Sequence, residues 1–257
     1  MKASSVLGIL LVGVCAGCSA ANEEDVGSLD QAAKQTDFGV DFGSCTEVAA
    51  IGNVPRANVR PLVPAKYDLA GDAQNAVLVA RAVNCGAVSV DGKAARPTTL
   101  IQIGVSLVGA AVANPVADIN NYTLWYVTDN SQLFAKLNSA GANAENSQHL
   151  SYTVTSGVFD FSASPARAPA VNLHGPVTPG IFPPQLFRAT WWSDGNHGTI
   201  RMHTPFPQIR FGVATTTLTT PANSDLSRVI GGTSMTFSLL DSSNTFDSAR
   251  MEVVSVP

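Results

Sequence analysis

Positively charged and aromatic side chains are concentrated in two predicted neighbouring strands, residues 187–192 and 198–203. Guanidinium groups can bind a carboxylate through paired hydrogen bonds, and an indole ring can pack on an apolar body. The residue types therefore suit a small ligand that is partly apolar, with or without a negative charge. The candidate ligand-binding residues are Arg188, Trp192, Arg201, His203 and Arg210.

Two orientations of this pair of strands are open. If residues 194–197 form the turn, counting outward pairs Arg188 with His203, and the cationic side chains share one face. That face is either a solvated outer surface or the lining of a barrel. Inside a barrel the guanidinium groups would need partners, which Asp241, Asp247 or a ligand anion could supply.

The same segment also contains groups capable of acid–base chemistry. His197 or His203 could transfer a proton, with Asp194 as a further participant. A serine hydrolase is not favoured, because Ser193 lies beside these residues in a tight turn and no GxSxG motif is present.

Metal, cofactor and nucleic-acid functions find no support in the sequence. The four histidines are distant from the cysteines, and we find neither an HExxH motif nor, after residue 17, a CxxC motif. We therefore predict no metal site and no cofactor. With 15 basic and 19 acidic residues the formal net charge is −4, so no nucleic-acid partner is expected.

The N-terminal segment has the layout of a secretory signal. An apolar run follows Lys2 and ends in Ala16-Gly17-Cys18, which resembles the bacterial lipobox, with Cys15 where that motif usually has leucine. The resemblance implies removal of residues 1–17 and attachment of lipid to Cys18, whose chains would bind the bilayer. Ser19 implies the outer membrane if the bacterium is Gram-negative. A cleaved signal without lipid is the alternative.

If the protein is exported, a tether and a disulfide are expected after the signal. Residues 18–42 are polar and acidic and are predicted to form a flexible tether. If Cys18 carries lipid, Cys45 and Cys85 remain as an even pair in an oxidising compartment, which predicts a disulfide. Two buried free thiols are the alternative.

Residues 43–257 read as a single β-rich domain. Removing 17 of the 257 residues leaves 240, enough for one large core, and only 13% of the chain is charged. We predict an antiparallel barrel or sandwich of about ten strands with one or two short helices, at residues 55–62 and 130–140. Proline-rich residues 161–185 are predicted to form a loop, as a lid or a surface crossover. The predicted strands are residues 76–83, 99–108, 122–128, 150–155, 185–192, 198–203, 209–219, 234–240 and 249–256.

The start of the domain is similar in layout to acetoacetate-decarboxylase-like proteins. A short helix and a Leu62-Val63-Pro64 element lead into an apolar strand ending at Cys85. The resemblance implies a β-rich barrel and a Schiff-base lysine, whose amine must be desolvated. No lysine after Lys2 lies within an apolar strand, so the activity is not transferred with the fold. These lysines are Lys34, Lys66, Lys93 and Lys136.

Two functions follow from the sequence. The first expectation is a non-catalytic, membrane-anchored envelope lipoprotein whose β domain binds a small molecule beside the cationic face. The alternative is an enzyme with an acetoacetate-decarboxylase-like fold but without an obvious Schiff-base lysine, using histidine and aspartate for acid–base chemistry.

Overall fold

The computed structural model describes residues 37–109, 118–195 and 198–256. Its strands are β1 (Phe38–Pro55), β2 (Asn75–Val90), β3 (Arg96–Ser106), β4 (Asp118–Thr128), β5 (Ala144–Asn146), β6 (Leu150–Thr155), β7 (Val158–Ala163), β8 (Val171–Thr178), β9 (Gln185–Gly195), β10 (Gly198–Ile209), β11 (Val213–Ala214), β12 (Thr217–Thr219), β13 (Ser234–Thr236) and β14 (Leu240–Val256). The helices are α1 (Arg56–Val59), followed by a 3₁₀ turn (Arg60–Leu62), α2 (Ser131–Ala140) and α3 (Asp225–Ile230).

Seven long strands close into a barrel. Their order is β3, β2, β1, β14, β10, β9 and β4, and β4 pairs back onto β3. Neighbours are antiparallel except for β4 with β9, and short β5 adds to β4 in parallel. The predicted mainly-β barrel is confirmed, with parallel pairings that the sequence did not predict.

A second sheet covers part of the barrel. Its order is β13, β12, β8, β7 and β6, and β11 also pairs with β8. Phe159, Phe161 and Leu173 of this sheet pack with outward-facing barrel residues in one core. A separate core fills the barrel, where Trp191 and Met202 meet Leu133 of α2.

Both predicted helical segments are present. Asn130 precedes α2, and its side chain accepts hydrogen bonds from the backbone N–H groups of Gln132 and Leu133 at 3.1 Å each. Gly141 ends the helix with φ 105°. The Cys45–Cys85 disulfide is also confirmed and joins directly opposed residues of β1 and β2.

The structure corrects three boundaries. β1 begins at Phe38, so residues 38–42 belong to the barrel rather than to the predicted tether, because Phe38, Val40 and Phe42 pack in its interior. The proline-rich segment contains β8, whose ladder is continuous with β7. In the hairpin, His203 lies opposite Thr190 rather than Arg188. This shift of two residues keeps every side chain on its predicted face, since strand side chains alternate with a period of two.

Close packing of the barrel depends on a glycine. A Cβ atom at Gly104 would lie 2.1 Å from the carbonyl oxygen of Tyr122 and 2.8 Å from the ring of Trp191. The β3–β4 register is irregular at this point, between Ile103 and Gly104. Gly104 therefore permits both the closure of the barrel and the position of Trp191 within it.

Several predictions concern residues that the structure does not describe. Residues 1–36, which include the predicted signal, the lipidation site Cys18 and Lys34, lie outside the described residues, as does His197. Within the described residues, none of the helices is both long and apolar enough to span a membrane.

Candidate functional site

A cavity of about 610 Å³ opens at one end of the barrel. Its volume falls in the usual range for small-molecule sites. Aromatic and aliphatic side chains form most of its wall, including Val79, Ile119, Phe187, Trp191, Phe206 and Phe211. Residues from two loops surround its mouth, among them Phe182 and Leu239.

One buried ion pair interrupts this apolar wall. Arg81 donates from Nη2 and Nε to Oε2 of Glu47, at 2.6 and 3.0 Å. The two side chains are only 13% and 7% exposed. Charged groups are rarely buried without a partner, and here each is the other's partner. Their charges cancel, so the polar part of the cavity is formally neutral.

The strand register brings Glu47 and Arg81 together. Glu47 of β1 lies opposite Val83 of β2, and Arg81 lies opposite Ala49. The two charged residues are therefore diagonal neighbours on the face that points into the barrel. Because β1 and β2 are long paired strands at mid-length, the position of the ion pair is held by backbone hydrogen bonds on both sides.

Asn244 of β14 contacts Glu47 from the opposite side to Arg81. Its side-chain nitrogen donates to Oε1 of Glu47 at 3.4 Å, a long hydrogen bond. Oε1 thus retains accepting capacity, whereas Oε2 is engaged by two donors. The oxygen Oδ1 of Asn244 and the indole nitrogen Nε1 of Trp191 are buried and have no partner among the described residues.

Tyr126 is a further ionisable group in the barrel interior. It is fully buried, and burial raises the pKa of its phenol, an effect that the nearby positive charge of Arg81 opposes. Tyr126 therefore stays neutral at physiological pH.

No lysine of the described part of the chain lines the cavity. Lys66 contacts Asp194 at 3.1 Å and Thr199 at 2.6 Å on the outside of the barrel. Lys136 pairs with Asp91 at 2.5 Å, and Lys93 is exposed in a turn. The described lysines are thus placed in water-accessible ion pairs or turns, not in a desolvated site.

The sequence-predicted ligand-binding residues lie elsewhere. In β9 and β10 the inward positions are Ala189, Trp191, Ile200 and Met202, and alternation places the cationic residues on the outer face. The structure therefore has the outer-face orientation, since this cavity is lined by none of Arg188, Trp192, Arg201, His203 and Arg210. Their role in ligand binding stays a prediction.

Three of these residues have local partners on the outer face, whereas Nε of Arg201 is buried without a hydrogen-bond partner among the described residues. Arg188 pairs with Asp118 at 3.3 Å, and the indole of Trp192 donates to Asn120 at 2.6 Å. His203 contacts the hydroxyl of Thr190 at 3.0 Å. Burial, with the nearby positive charges of Arg201 and Arg188, lowers the pKa of His203. Arg210 is exposed.

Two of the carboxylates considered in the sequence, Asp194 and Asp241, have other partners. Asp194 accepts hydrogen bonds from Tyr67 and Thr199, at 3.1 and 2.7 Å, and does not meet His203. Asp241 accepts from the backbone and hydroxyl of Thr216 instead of an arginine. The predicted histidine–aspartate acid–base pair is therefore not assembled among the described residues.

Glu47 and Arg81 were missed by the sequence reasoning. Each is a single charge within an otherwise apolar run, residues 45–54 and 76–83 respectively. Such an isolated charge in a strand predicts either an outward side chain or a buried pair, and only the register distinguishes the two.

A second, smaller cavity has a structural explanation. Glu145 lies at its wall, and its carboxylate accepts hydrogen bonds from the backbone N–H groups of Ala166, Arg167 and Ala168 at 2.6 to 3.2 Å. The carboxylate thereby accepts hydrogen bonds from backbone N–H groups of this turn that would otherwise have no partner.

Comparison with solved structures identifies the architecture. An acetoacetate decarboxylase superposes with a TM-score of 0.59 at 9% identity, covering 84% of this chain and 88% of the other. The chain has the acetoacetate-decarboxylase-like fold. An acetoacetate decarboxylase-like enzyme from Sphingomonas wittichii RW1 matches at 0.52 and 8% identity, with coverages of 85% and 90%. The enduracididine biosynthesis enzyme MppR, in complex with pyruvate, matches at 0.52 and 11%, with coverages of 85% and 88%.

Sequence comparison adds no closer relationship. No protein-family model and no curated protein matches this chain. The solved neighbours with this fold are enzymes, which overturns the expectation of a non-catalytic ligand-binding domain and the leaning against enzyme activity.

Proposed function

We propose that this chain is an enzyme that transfers protons on a small, uncharged, mostly apolar carbonyl compound bound in the barrel cavity. The observation that carries the proposal is the Glu47–Arg81 ion pair, buried in a cavity whose other walls are largely apolar. A neutral ion pair favours an uncharged ligand, because a net ionic ligand would leave one charge without compensation.

Glu47 is the proposed acid–base group. Its Oε1 takes a proton from the carbon next to the carbonyl group, the electron pair of that C–H bond moves to the carbonyl oxygen, and an enolate forms. Glu47 then returns the proton to the same carbon, the electron pair moves back from the oxygen, and the carbonyl compound is restored. Oε1 suits this role because its one partner is a distant amide.

Arg81 is the proposed stabiliser of the enolate oxygen. Its guanidinium uses Nε and Nη2 on Glu47, and Nη1 forms no hydrogen bond with the described residues. A cation in an apolar cavity stabilises developing negative charge more strongly than it would in water. The buried polar atoms of Trp191 and Asn244 without partners offer one further donor and one acceptor near the ligand.

A Schiff-base mechanism is not proposed. It needs a desolvated amine, and the described lysines lie outside the cavity. The fold comparison still supports a small carbonyl substrate, because MppR was solved with pyruvate and other neighbours are acetoacetate decarboxylases.

Proton exchange tests this function directly. We would incubate the protein in D₂O with hexan-2-one, cyclohexanone and 4-phenylbutan-2-one and follow loss of the α-proton signals by NMR. Catalysed exchange is expected, and Glu47→Gln should slow it about 100-fold or more. The matched control Glu252→Gln, on the exposed surface of β14, should exchange at the wild-type rate. Exchange at the buffer rate for all three ketones would refute the proposal.

The proposed cellular location is the bacterial envelope, with the outer membrane as the site in a Gram-negative cell. The lipobox-like sequence Ala16-Gly17-Cys18 supports this location, and it also supports the lipid bilayer as the proposed partner. Intact-mass measurement of protein purified from its native membrane should show a chain beginning at Cys18 with added acyl mass. Cys18→Ser should carry no added acyl mass.

A further inference from the structure

The mouth of the cavity is surrounded by exposed apolar side chains. Phe182 and Leu239 are 50% and 53% exposed, and Ile181, Leu186 and Leu240 are similarly accessible. Four of these five line the opening of the cavity, and Ile181 adjoins Phe182 in the chain. We call this set of five the apolar rim. Exposed apolar groups are unremarkable singly, but a cluster around a cavity mouth typically marks an interaction surface.

The chain segments that build the apolar rim lack charge. Residues 177–187, 211–224 and 229–240 contain no Asp, Glu, Lys or Arg, although 13% of the whole chain is charged. The first and third segments supply the apolar rim, and the second contributes Phe211 and Gly212 to the cavity. A charge-free surface can enter a lipid interface without the cost of desolvating ions.

We propose that the apolar rim inserts into the lipid bilayer that carries Cys18, so that the cavity opens towards the membrane and takes its substrate from it. The inference rests on the proposed function, because it names the source of the apolar substrate for that same cavity. A bilayer suits the apolar rim better than a protein partner does, because a lipid anchor is predicted at Cys18 and the segments that build the rim carry no charge.

The length of chain before β1 is compatible with this orientation. From Phe38, the start of β1, to Ile51 at the cavity mouth the strand spans at most about 43 Å. The 19 residues between Cys18 and Phe38 can extend to about 65 Å. A chain anchored at Cys18 is therefore long enough for the apolar rim to reach the same bilayer, even with the start of β1 facing away from it.

The nature of the apolar rim also predicts which forces hold it. Without Lys or Arg in the three segments, attraction to anionic lipids contributes little, and insertion of apolar side chains dominates. Binding should therefore occur on zwitterionic vesicles and should be insensitive to salt.

Vesicle sedimentation tests the docking. The probe is phosphatidylcholine vesicles, and the protein is the processed chain carrying Cys18→Ser, which prevents lipidation. Binding is expected, with a partition coefficient that changes less than twofold between 0.05 and 0.5 M NaCl. The variant Phe182→Ser/Leu239→Ser should bind at least tenfold more weakly. Val154→Ser/Val158→Ser changes two comparably exposed valines on the second sheet and should bind as the parent does.

Three results would overturn the docking proposal. They are absence of vesicle binding, binding that high salt abolishes, and equal loss of binding in the two double variants. A concentration-dependent dimer that the rim variant abolishes would instead assign the apolar rim to a second copy. Glu47→Gln should bind vesicles normally. If the unsubstituted protein binds vesicles but does not catalyse ketone exchange, the proposed chemistry alone is rejected. If it catalyses exchange but does not bind vesicles, the docking alone is rejected.

Discussion

Glu47 and Arg81 show how a pair of charges can be retained inside a barrel. Removing two charges from water costs several kcal/mol per ion, which their short contact and hydrogen bonds offset. Their burial is a poor source of stability compared with an apolar pair of similar volume. A functional role explains their presence better than a structural one, since the surrounding wall is already apolar.

The ion pair makes a prediction about stability. Arg81→Met leaves the Glu47 carboxylate buried without its partner and should lower the free energy of unfolding by about 3–5 kcal/mol. The double variant Glu47→Gln/Arg81→Met removes both charges and should lose less than Arg81→Met alone. Urea denaturation at pH 7 measures both values. A double variant less stable than Arg81→Met would contradict the coupling of the two residues.

His203 makes a prediction about pH. Burial lowers its pKa in the folded protein, so the unfolded chain binds a proton at a higher pH than the folded one does. The contribution of neutral His203 to the free energy of unfolding is complete above the ordinary histidine pKa of about 6.5. It is lost as the pH falls through the lower pKa that His203 has in the folded protein. Stability between pH 5 and 7 should therefore rise less steeply in His203→Gln than in wild type when urea denaturation is repeated across that range. Equal slopes would contradict the assignment.

At the scale of elements, the alternation of the sequence predicts the strands well and their partners less well. The residues 185–192 and 198–203 form β9 and β10 as expected, and their face assignment survives a register that differs by two residues. β1 was missed at its start because its inward positions change from even to odd numbers at Ser44, where φ is 51°. An interrupted alternation hides a strand from a search for period two.

The candidate site was hidden for a related reason. Glu47 and Arg81 are 34 residues apart in sequence and meet only through the β1–β2 register. No short motif joins them, whereas the cationic residues of the hairpin are close together in sequence and attracted the functional prediction. Local clustering of charge identified a partly exposed outer face, and long-range strand pairing produced the cavity.

The closure of the barrel makes a prediction at this scale. Gly104→Ala places a methyl group against the Tyr122 carbonyl and the Trp191 ring, so β3 and β4 must separate and stability should fall by about 1–3 kcal/mol. Gly232→Ala is the matched control, because nothing lies within 4 Å of its added Cβ and its φ is not positive. Its effect should be within about 0.5 kcal/mol. Chemical denaturation compares the two, and equal effects would show that Gly104 is not sterically required.

At the scale of the molecule, the barrel separates two surfaces that the sequence does not separate. Its interior holds the Glu47–Arg81 pair, and its outer wall carries the histidine and arginines that were first expected to bind the ligand. Both surfaces contain ionisable groups, but among the described residues the interior alone combines them with a mostly apolar cavity. This contrast is the basis for assigning the chemistry to the inside.

A comparison of Glu47→Gln with His203→Gln tests that assignment most directly. The measurement is the rate of α-proton exchange in D₂O for the ketone that the wild-type protein exchanges fastest, with folding of both variants confirmed by circular dichroism. Glu47→Gln is expected to slow exchange about 100-fold or more. His203→Gln is expected to stay within about twofold of wild type, since the His203 ring contacts Thr190 on the outer face. Exchange that survives Glu47→Gln, or that is lost in His203→Gln, would contradict that assignment.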